Sequence, residues 1–255
     1  MQASIVLTVA QGKRLIGKAV AQLPEVRRAL QSGLLAIGRG TTNAYVAEEI
    51  LGQTLPKGEY VAGRTMPAGI PGERLGRGTY PDIVLRDGTP VEGATVTGAV
   101  NEMKGGDVFI KGGNALNYGQ GVVGVLMGHP QGGTIGSTYG AIVARKVQLI
   151  IPIGLEKMVI DDIYELSRLS LHTDNHPKAK VTSLFPMTGT IITEIEAFAI
   201  LCGVQAYLLS AGGVAGAEGA IWLLLDGEQD QLDQALALAH EVQGEPNMGI
   251  QTGNA

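Results

Sequence analysis

Two lysines, two glycine-rich turns and one histidine are the residues of this chain best suited to chemistry. Lys111 stands in Ile110-Lys111-Gly112-Gly113-Asn114, and Lys157 in Ile153-Gly154-Leu155-Glu156-Lys157. Each follows a short apolar run that reads as a buried strand. A cation at the carboxyl end of a strand lies where α/β sheets bind ligands. The first glycine turn, Gly38-Arg39-Gly40-Thr41-Thr42-Asn43, separates the apolar run Leu34 to Ile37 from a segment of helical spacing. Free N–H groups at a helix start attract an anion, and Arg39 adds a guanidinium able to grip it with two hydrogen bonds. The second turn, Gly128 to Thr138, carries Gly132, Gly133 and Thr134 ahead of another helical run. So many glycines near a helix start suit a backbone that closely approaches a ligand. His129 in that turn is the one well-placed group that titrates near neutral pH. The expectation is a pocket for a small anionic metabolite, with Lys111 and His129 as catalytic residues. Gly112, Gly113, Asn114 and Lys157 join the two turns in binding the anion.

Other motifs point away from familiar chemistries. The third glycine of a dinucleotide-binding fingerprint is replaced by Asn43, and no Gly-Lys-Ser/Thr follows to make a phosphate loop. No Gly-x-Ser-x-Gly elbow occurs. His172 and His176 are four apart, but His172-Thr173-Asp174-Asn175-His176-Pro177 is turn chemistry rather than a helix presenting two metal ligands. Asp161, Asp162, Glu165, Glu194 and Glu196 read as helix starts and faces. The sequence implies neither a metal nor a cofactor.

These residues need an α/β frame to bring them together. Gln11 to Leu23 shows helical spacing through Leu15, Ile16, Ala19, Val20 and Leu23. Leu34 to Ile37 is a strand, and Ala44 to Leu51 a helix. Ile83 to Arg86 and Thr89 to Glu92 flank Asp87-Gly88 as a hairpin. Val108 to Ile110, Gly121 to Met127 and Gln148 to Ile153 are further strands, with a helix ending near Arg145. Beyond the polar stretch Ser170 to Lys180, the pattern predicts a strand over Val181 to Phe185 and a helix over Thr193 to Leu209. A strand over Ala220 to Leu225 and a helix over Gln231 to Val242 follow. The expected class is α/β: an open, largely parallel sheet flanked by helices, with a small α+β layer after it. Residues 1–177 would form the main domain, 178–243 the small one and 244–255 a flexible tail. Gly63 to Tyr80, with Arg64, Arg74 and Arg77, is either a lid or a solvated loop.

Composition narrows the partners. With 255 residues, 45% of them hydrophobic and 17% charged, the chain can bury a sizeable core and is not a disordered polyelectrolyte. A formal charge of -5 gives no electrostatic footprint for nucleic acid. The single Cys202 excludes an internal disulfide. No apolar run reaches a membrane span of about 20 residues, and Met1 to Ser4 has no signal-peptide character. A cytoplasmic homo-oligomer is the expected state.

The segment Ser32 to Ala44 resembles the opening of ribose-5-phosphate isomerase, and it is similar to the sugar-sensing domain of DeoR-type regulators. Asp107 to Leu116 resembles the isomerase segment whose lysine lies in the substrate site, which implies that role for Lys111. Leu149 to Lys157 resembles a later strand that ends in lysine in both families. The resemblance implies the NagB/RpiA/CoA-transferase-like α/β fold. It also implies a phosphorylated or carboxylated substrate, with isomerase-like or acyl-transfer-like chemistry. The isomerase's paired aspartates have no counterpart, because Asn101 to Phe109 offers only Glu102 and Asp107. Asn117-Tyr118-Gly119 stands where its glutamate base would be. A non-catalytic metabolite sensor or assembly subunit of the same fold is the alternative.

Overall fold

Thr8 opens the first helix with a reciprocal cap: its hydroxyl accepts from the Gln11 N–H, and the Gln11 side chain accepts from the Thr8 N–H. The computed structural model describes residues 1–63, 65–66 and 78–247. After strand β1 (Gln2–Leu7), helix α1 (Val9–Gln22) buries Leu15, Ile16, Ala19 and Val20. Pro24 cannot continue that helix, but it suits the first turn of the next, α2 (Pro24–Gln31).

Strand β2 (Leu34–Ile37) is buried at every position, as a central strand covered on both faces should be. It leads through the first glycine turn into α3 (Thr41–Leu51), which ends on left-handed Gly52. The hairpin forms as expected, with β3 (Ile83–Arg86) paired to β4 (Thr89–Pro90). Asp87 and Gly88 both take positive φ, the turn whose twist suits antiparallel strands.

The chain continues through α4 (Val96–Ala99), β5 (Val108–Ile110), β6 (Ala115–Asn117) and β7 (Val122–Leu126). Next come α5 (Gly133–Ala144), β8 (Gln148–Pro152), α6 (Ile163–Ser170), β9 (Leu184–Met187) and β10 (Thr190–Ile192). It closes with α7 (Glu194–Cys202), β11 (Gln205–Ala211), β12 (Ile221–Asp226) and α8 (Gln229–Glu241).

The main sheet has the order β10-β8-β5-β2-β3-β4. The strands from β10 to β2 are mutually parallel, and β3 and β4 add an antiparallel edge. This is an α/β fold with a mixed sheet. Two antiparallel sheets accompany it: β6-β7-β9 and β1-β12-β11. The expected boundary at 177/178 falls between α6 and β9. Across it β9 pairs with β7, β10 with β8, and β12 with β1 at the start of the chain. One continuous set of buried side chains runs from Ile5, Leu223 and Leu232 to Phe109 and Ile150. A small second set, Ala115, Val122, Ile163 and Leu184, lies under β6-β7-β9.

One sequence expectation changes. The apolar run Thr193 to Leu209 is not a single helix: α7 ends at Cys202, Gly203 turns left-handed at φ +71, and β11 begins at Gln205. Helical and strand segments that are both apolar share no periodicity break, so only the glycine marks the junction. Val6, Tyr207 and Trp222 alternate with buried neighbours and are about half exposed on the outer face of β1-β12-β11. Among the described residues, no helix is long and apolar enough to cross a membrane.

Candidate functional site

The four parallel strands end on one cluster of charged side chains. Lys111 is the residue after β5. Lys157 and Glu156 stand in the one-turn helix Leu155–Lys157 that follows β8. Glu194 is the first residue of α7, just after β10, and Lys13 comes from α1.

The Gly112-Gly113 turn organises the lysines. Lys111 Nζ donates to the Gly112 carbonyl at 3.1 Å, and Lys157 Nζ donates to the Gly113 carbonyl at 2.9 Å. Both positions require glycine for space. A methyl at Gly113 would collide with Val123, and one at Gly112 would press on the Pro152 carbonyl at 3.2 Å. The Lys111 stem crosses Gly38, where an added methyl would stand 3.0 Å from the lysine Cδ. Both lysines are half-buried, and their hydrogen bonds to the turn are partly buried as well. Burial therefore lowers the Lys111 pKa to about 8, with the neighbouring Lys157 charge adding to the effect. Lys157 is lowered by burial as well, against the opposing pull of Glu156 and Glu194. Lys13 falls for the same first reason, and Glu156, Lys157 and Glu194 act on it in turn.

Glu194 is 2% exposed. Its Oε2 accepts from the Leu155 N–H at 2.9 Å. Its Oε1 lies against Gly12 and Gly154, where a side chain on either would intrude on it. Burial, with the Glu156 charge behind it, raises the Glu194 pKa to about 8. Glu196 is occupied elsewhere, in a capping box with Thr193 and a 2.6 Å hydrogen bond from Tyr118. A carboxyl and an amine that both titrate near pH 8 can exchange protons with a substrate at neutral pH.

The start of α3 completes the floor. Asn43 is 1% exposed, and its Nδ2 donates to the Gly38 carbonyl at 2.6 Å and more weakly to that of Ile110. Those two acceptors fix the amide's orientation, which leaves Oδ1 facing the Gly112 turn without a partner. Thr42 Oγ1 in the same helical turn is also buried and unpartnered. Gly40 caps α3 without a side-chain hydrogen bond. Tyr60 buttresses the turn from behind, donating to the Ile37 carbonyl at 2.6 Å and accepting the Gly40 N–H.

Of the sequence-derived residues, Gly38, Gly40, Thr41, Thr42, Asn43, Lys111, Gly112, Gly113 and Lys157 lie at this cluster. Arg39 points to other partners: its Nε pairs with Asp82 at 3.1 Å and its guanidinium donates to the Gly78 carbonyl. Asn114 spends its Oδ1 on the Leu126 N–H, tying the turn to β7. His129 is exposed, and its Nδ1 accepts from Gln131 N within the same turn. Gly132 and Gly133 take positive φ at the α5 start, while Ser137 and Thr138 bond back to the carbonyls of Gly133 and Thr134. The conformation of that turn therefore accounts for both glycines. Arg64, Arg74 and Arg77 lie outside the described residues. His172 and His176 are exposed, and the described residues hold no group of His, Cys, Asp and Glu arranged for a metal.

Sequence reasoning missed Glu194, Glu156 and Lys13. The usable signal was positional. Glu194 follows a strand, as Lys111 and Lys157 do, and Gly12 and Gly154 supply the space its carboxyl occupies. Comparison with family models, with curated proteins and with solved structures finds no match to this chain.

Proposed function

We propose that this chain binds a small phosphorylated or carboxylated metabolite at the carboxyl ends of β2, β5, β8 and β10 and acts on it as an enzyme. One observation carries the reading: Lys13, Lys111 and Lys157 converge with a buried Glu194 where parallel strands end, and the fold leaves their charges poorly matched. Buried cations that are lowered by desolvation gain most from an arriving anion, because it returns what burial removed. The N–H groups at the α3 start, uncapped by any side chain, add donors to the same place. Lys111 and Glu194 would supply the base and acid of a proton-transfer step, the isomerase-type class that the resemblance implies. The likeness of Ile110-Lys111-Gly112-Gly113 to the isomerase segment supports the choice of Lys111. The missing aspartate pair makes Glu194 the replacement acid or base in this chain.

Thermal unfolding against a panel of sugar phosphates, oxo acids, hydroxy acids and acyl thioesters tests the reading. A ligand present at about 100 times its dissociation constant adds about 2.7 kcal/mol of stability. The expected result is a stabilising ligand whose effect disappears in Lys111→Met/Lys157→Met. Equal stabilisation of wild type and double variant would place the ligand elsewhere.

The outer face of β1-β12-β11 favours one addition, self-association. Val6, Tyr207 and Trp222 there form an apolar surface that a second copy of the chain would cover. Sedimentation at micromolar concentration checks it, and a monomer removes the addition without touching the site.

A further inference from the structure

Lys111 and Lys157 share one turn but have different surroundings. Glu156 and Glu194 face Lys157, and they also face Lys13. Among the described residues, the one charged group that acts appreciably on Lys111 is the like-charged Lys157, and its ammonium has a single hydrogen-bond acceptor, the adjacent Gly112 carbonyl. A partly buried amine beside a second cation, with no carboxylate of its own among the described residues, is the setting in which a lysine gives up its proton and becomes a nucleophile. The neighbouring side chains supply the other requirements. Lys157 on the same turn, with Lys13 near it, offers N–H donors to an anionic group. Asn43 Oδ1, buried and unpartnered beside Gly112, awaits an N–H or O–H donor.

We infer that Lys111 forms an imine with the carbonyl of a small oxo acid or oxo phosphate bound at this cluster. The inference rests on the anion site proposed above and names its substrate class. The Lys111 nitrogen lone pair adds to the carbonyl carbon, and the C=O π electrons move to oxygen, which takes a proton from that nitrogen. The resulting carbinolamine hydroxyl takes a second proton from solvent and leaves as water with the C–O bond pair. Nitrogen loses its remaining proton as the neutral imine forms, or keeps it as the iminium. No oxidant or reductant is consumed. The carbinolamine hydroxyl is a donor of the kind Asn43 Oδ1 lacks. The anionic group of the substrate sits with Lys157 and Lys13. Lys157 therefore acts twice: it holds the anion, and its charge favours the unprotonated form of Lys111.

The test is reductive trapping on the full chain. Pyruvate, 2-oxobutyrate, 2-oxoglutarate, glyceraldehyde 3-phosphate and dihydroxyacetone phosphate are each incubated with the protein, reduced with borohydride and followed by intact mass and peptide mapping. The expected result is one adduct per chain on Lys111, absent from Lys111→Arg. The oxo acids against the oxo phosphates identify the anionic group. Trapping with the best probe should rise with pH through about 8 in the wild type. In Lys157→Met that midpoint should move to higher pH, a change that loss of packing alone would not cause. No adduct, or adducts spread over exposed lysines such as Lys104 and Lys178, would overturn the imine. If anions stabilise the fold but no carbonyl compound is trapped, the imine falls and the anion site stands. If neither occurs, both fall.

Discussion

Lys13 and Arg14 are neighbours on α1, yet they belong to two charge clusters built on opposite principles. Arg14 lies between three carboxylates, pairing with Glu48 at 2.5 Å, Glu49 at 2.9 Å and Glu245 at 2.8 Å. Lys57 joins through Glu48 at 2.8 Å, and both cations stack over the Tyr45 ring. Each charge there strengthens its partners. Hydrogen bonds from Lys57, Leu55 and Arg14 outweigh burial and hold the Glu48 carboxyl below its ordinary range. The same kind of bonds raise the Arg14 pKa despite burial. In the cluster around Lys13, burial wins. Three lysines fall and Glu194 rises, so these four groups are pushed toward their neutral forms. A network whose members stabilise each other's charges serves the fold. One whose members do not is costly to the fold, a cost that the binding role proposed above would account for.

The sharpest way to break this comparison is to remove one cation from each cluster. Arg14→Met leaves Glu48, at 6% exposure, without its closest partner and should destabilise the protein by about 3 kcal/mol in denaturant unfolding. Lys111→Met removes a poorly compensated charge and should stabilise by about 1–2 kcal/mol at pH 7, net of the lost hydrogen bond to Gly112.

Glu194 allows a comparison by pH. Folding raises its pKa from 4.5 to about 8, so between those values the folded chain binds more protons than the unfolded one. Its contribution to stability is therefore fully present below pH 4.5 and is lost as pH rises to about 8. Glu194→Gln keeps an acceptor for the Leu155 N–H and removes the titration. Measured against wild type by unfolding at several pH values, the variant should gain about 2–4 kcal/mol between pH 4.5 and 8. Lys111 has the opposite slope. Its pKa falls from 10.5 to about 8, so the unfolded chain binds more protons across that window and stability rises with pH. That rise should be missing in Lys111→Met.

The smallest effect belongs to the second glycine turn. His129 is exposed, so His129→Ala should change stability by no more than about 0.5 kcal/mol. It should also leave ligand stabilisation unaltered in the thermal panel. A large loss of binding would return that turn to the site.

Much of this arrangement was legible in the residues. Leu34 to Ile37, Val108 to Ile110 and Gln148 to Ile153 are short apolar runs, each followed by glycine or lysine, and the three strands do end together. The Asp87-Gly88 hairpin was legible because one turn geometry suits that pair. Ambiguous patterns hid the rest. In Thr193 to Leu209 a helix and a strand share one apolar composition, and only left-handed Gly203 divides them. β1 pairs with β12 across 213 residues of intervening chain, between Leu7↔Ile221 partners that no local pattern connects. Glu194 looked like an ordinary first-turn acid, which the N-terminal end of a helix favours anyway. Its burial depends on Gly12 and Gly154, which no local spacing brings beside it. Arg39 looked free because its partner Asp82 lies on the far side of a long loop in sequence.

The central claim is that the Lys111 cluster is held against the interest of the fold. The most direct measurement is the unfolding free energy of Lys111→Met and wild type at pH 7, each with and without the best ligand from the thermal panel. The account predicts a variant that is more stable than wild type when empty and that gains nothing from the ligand. A variant less stable than wild type by more than about 1 kcal/mol, or one still stabilised by the ligand, would contradict it.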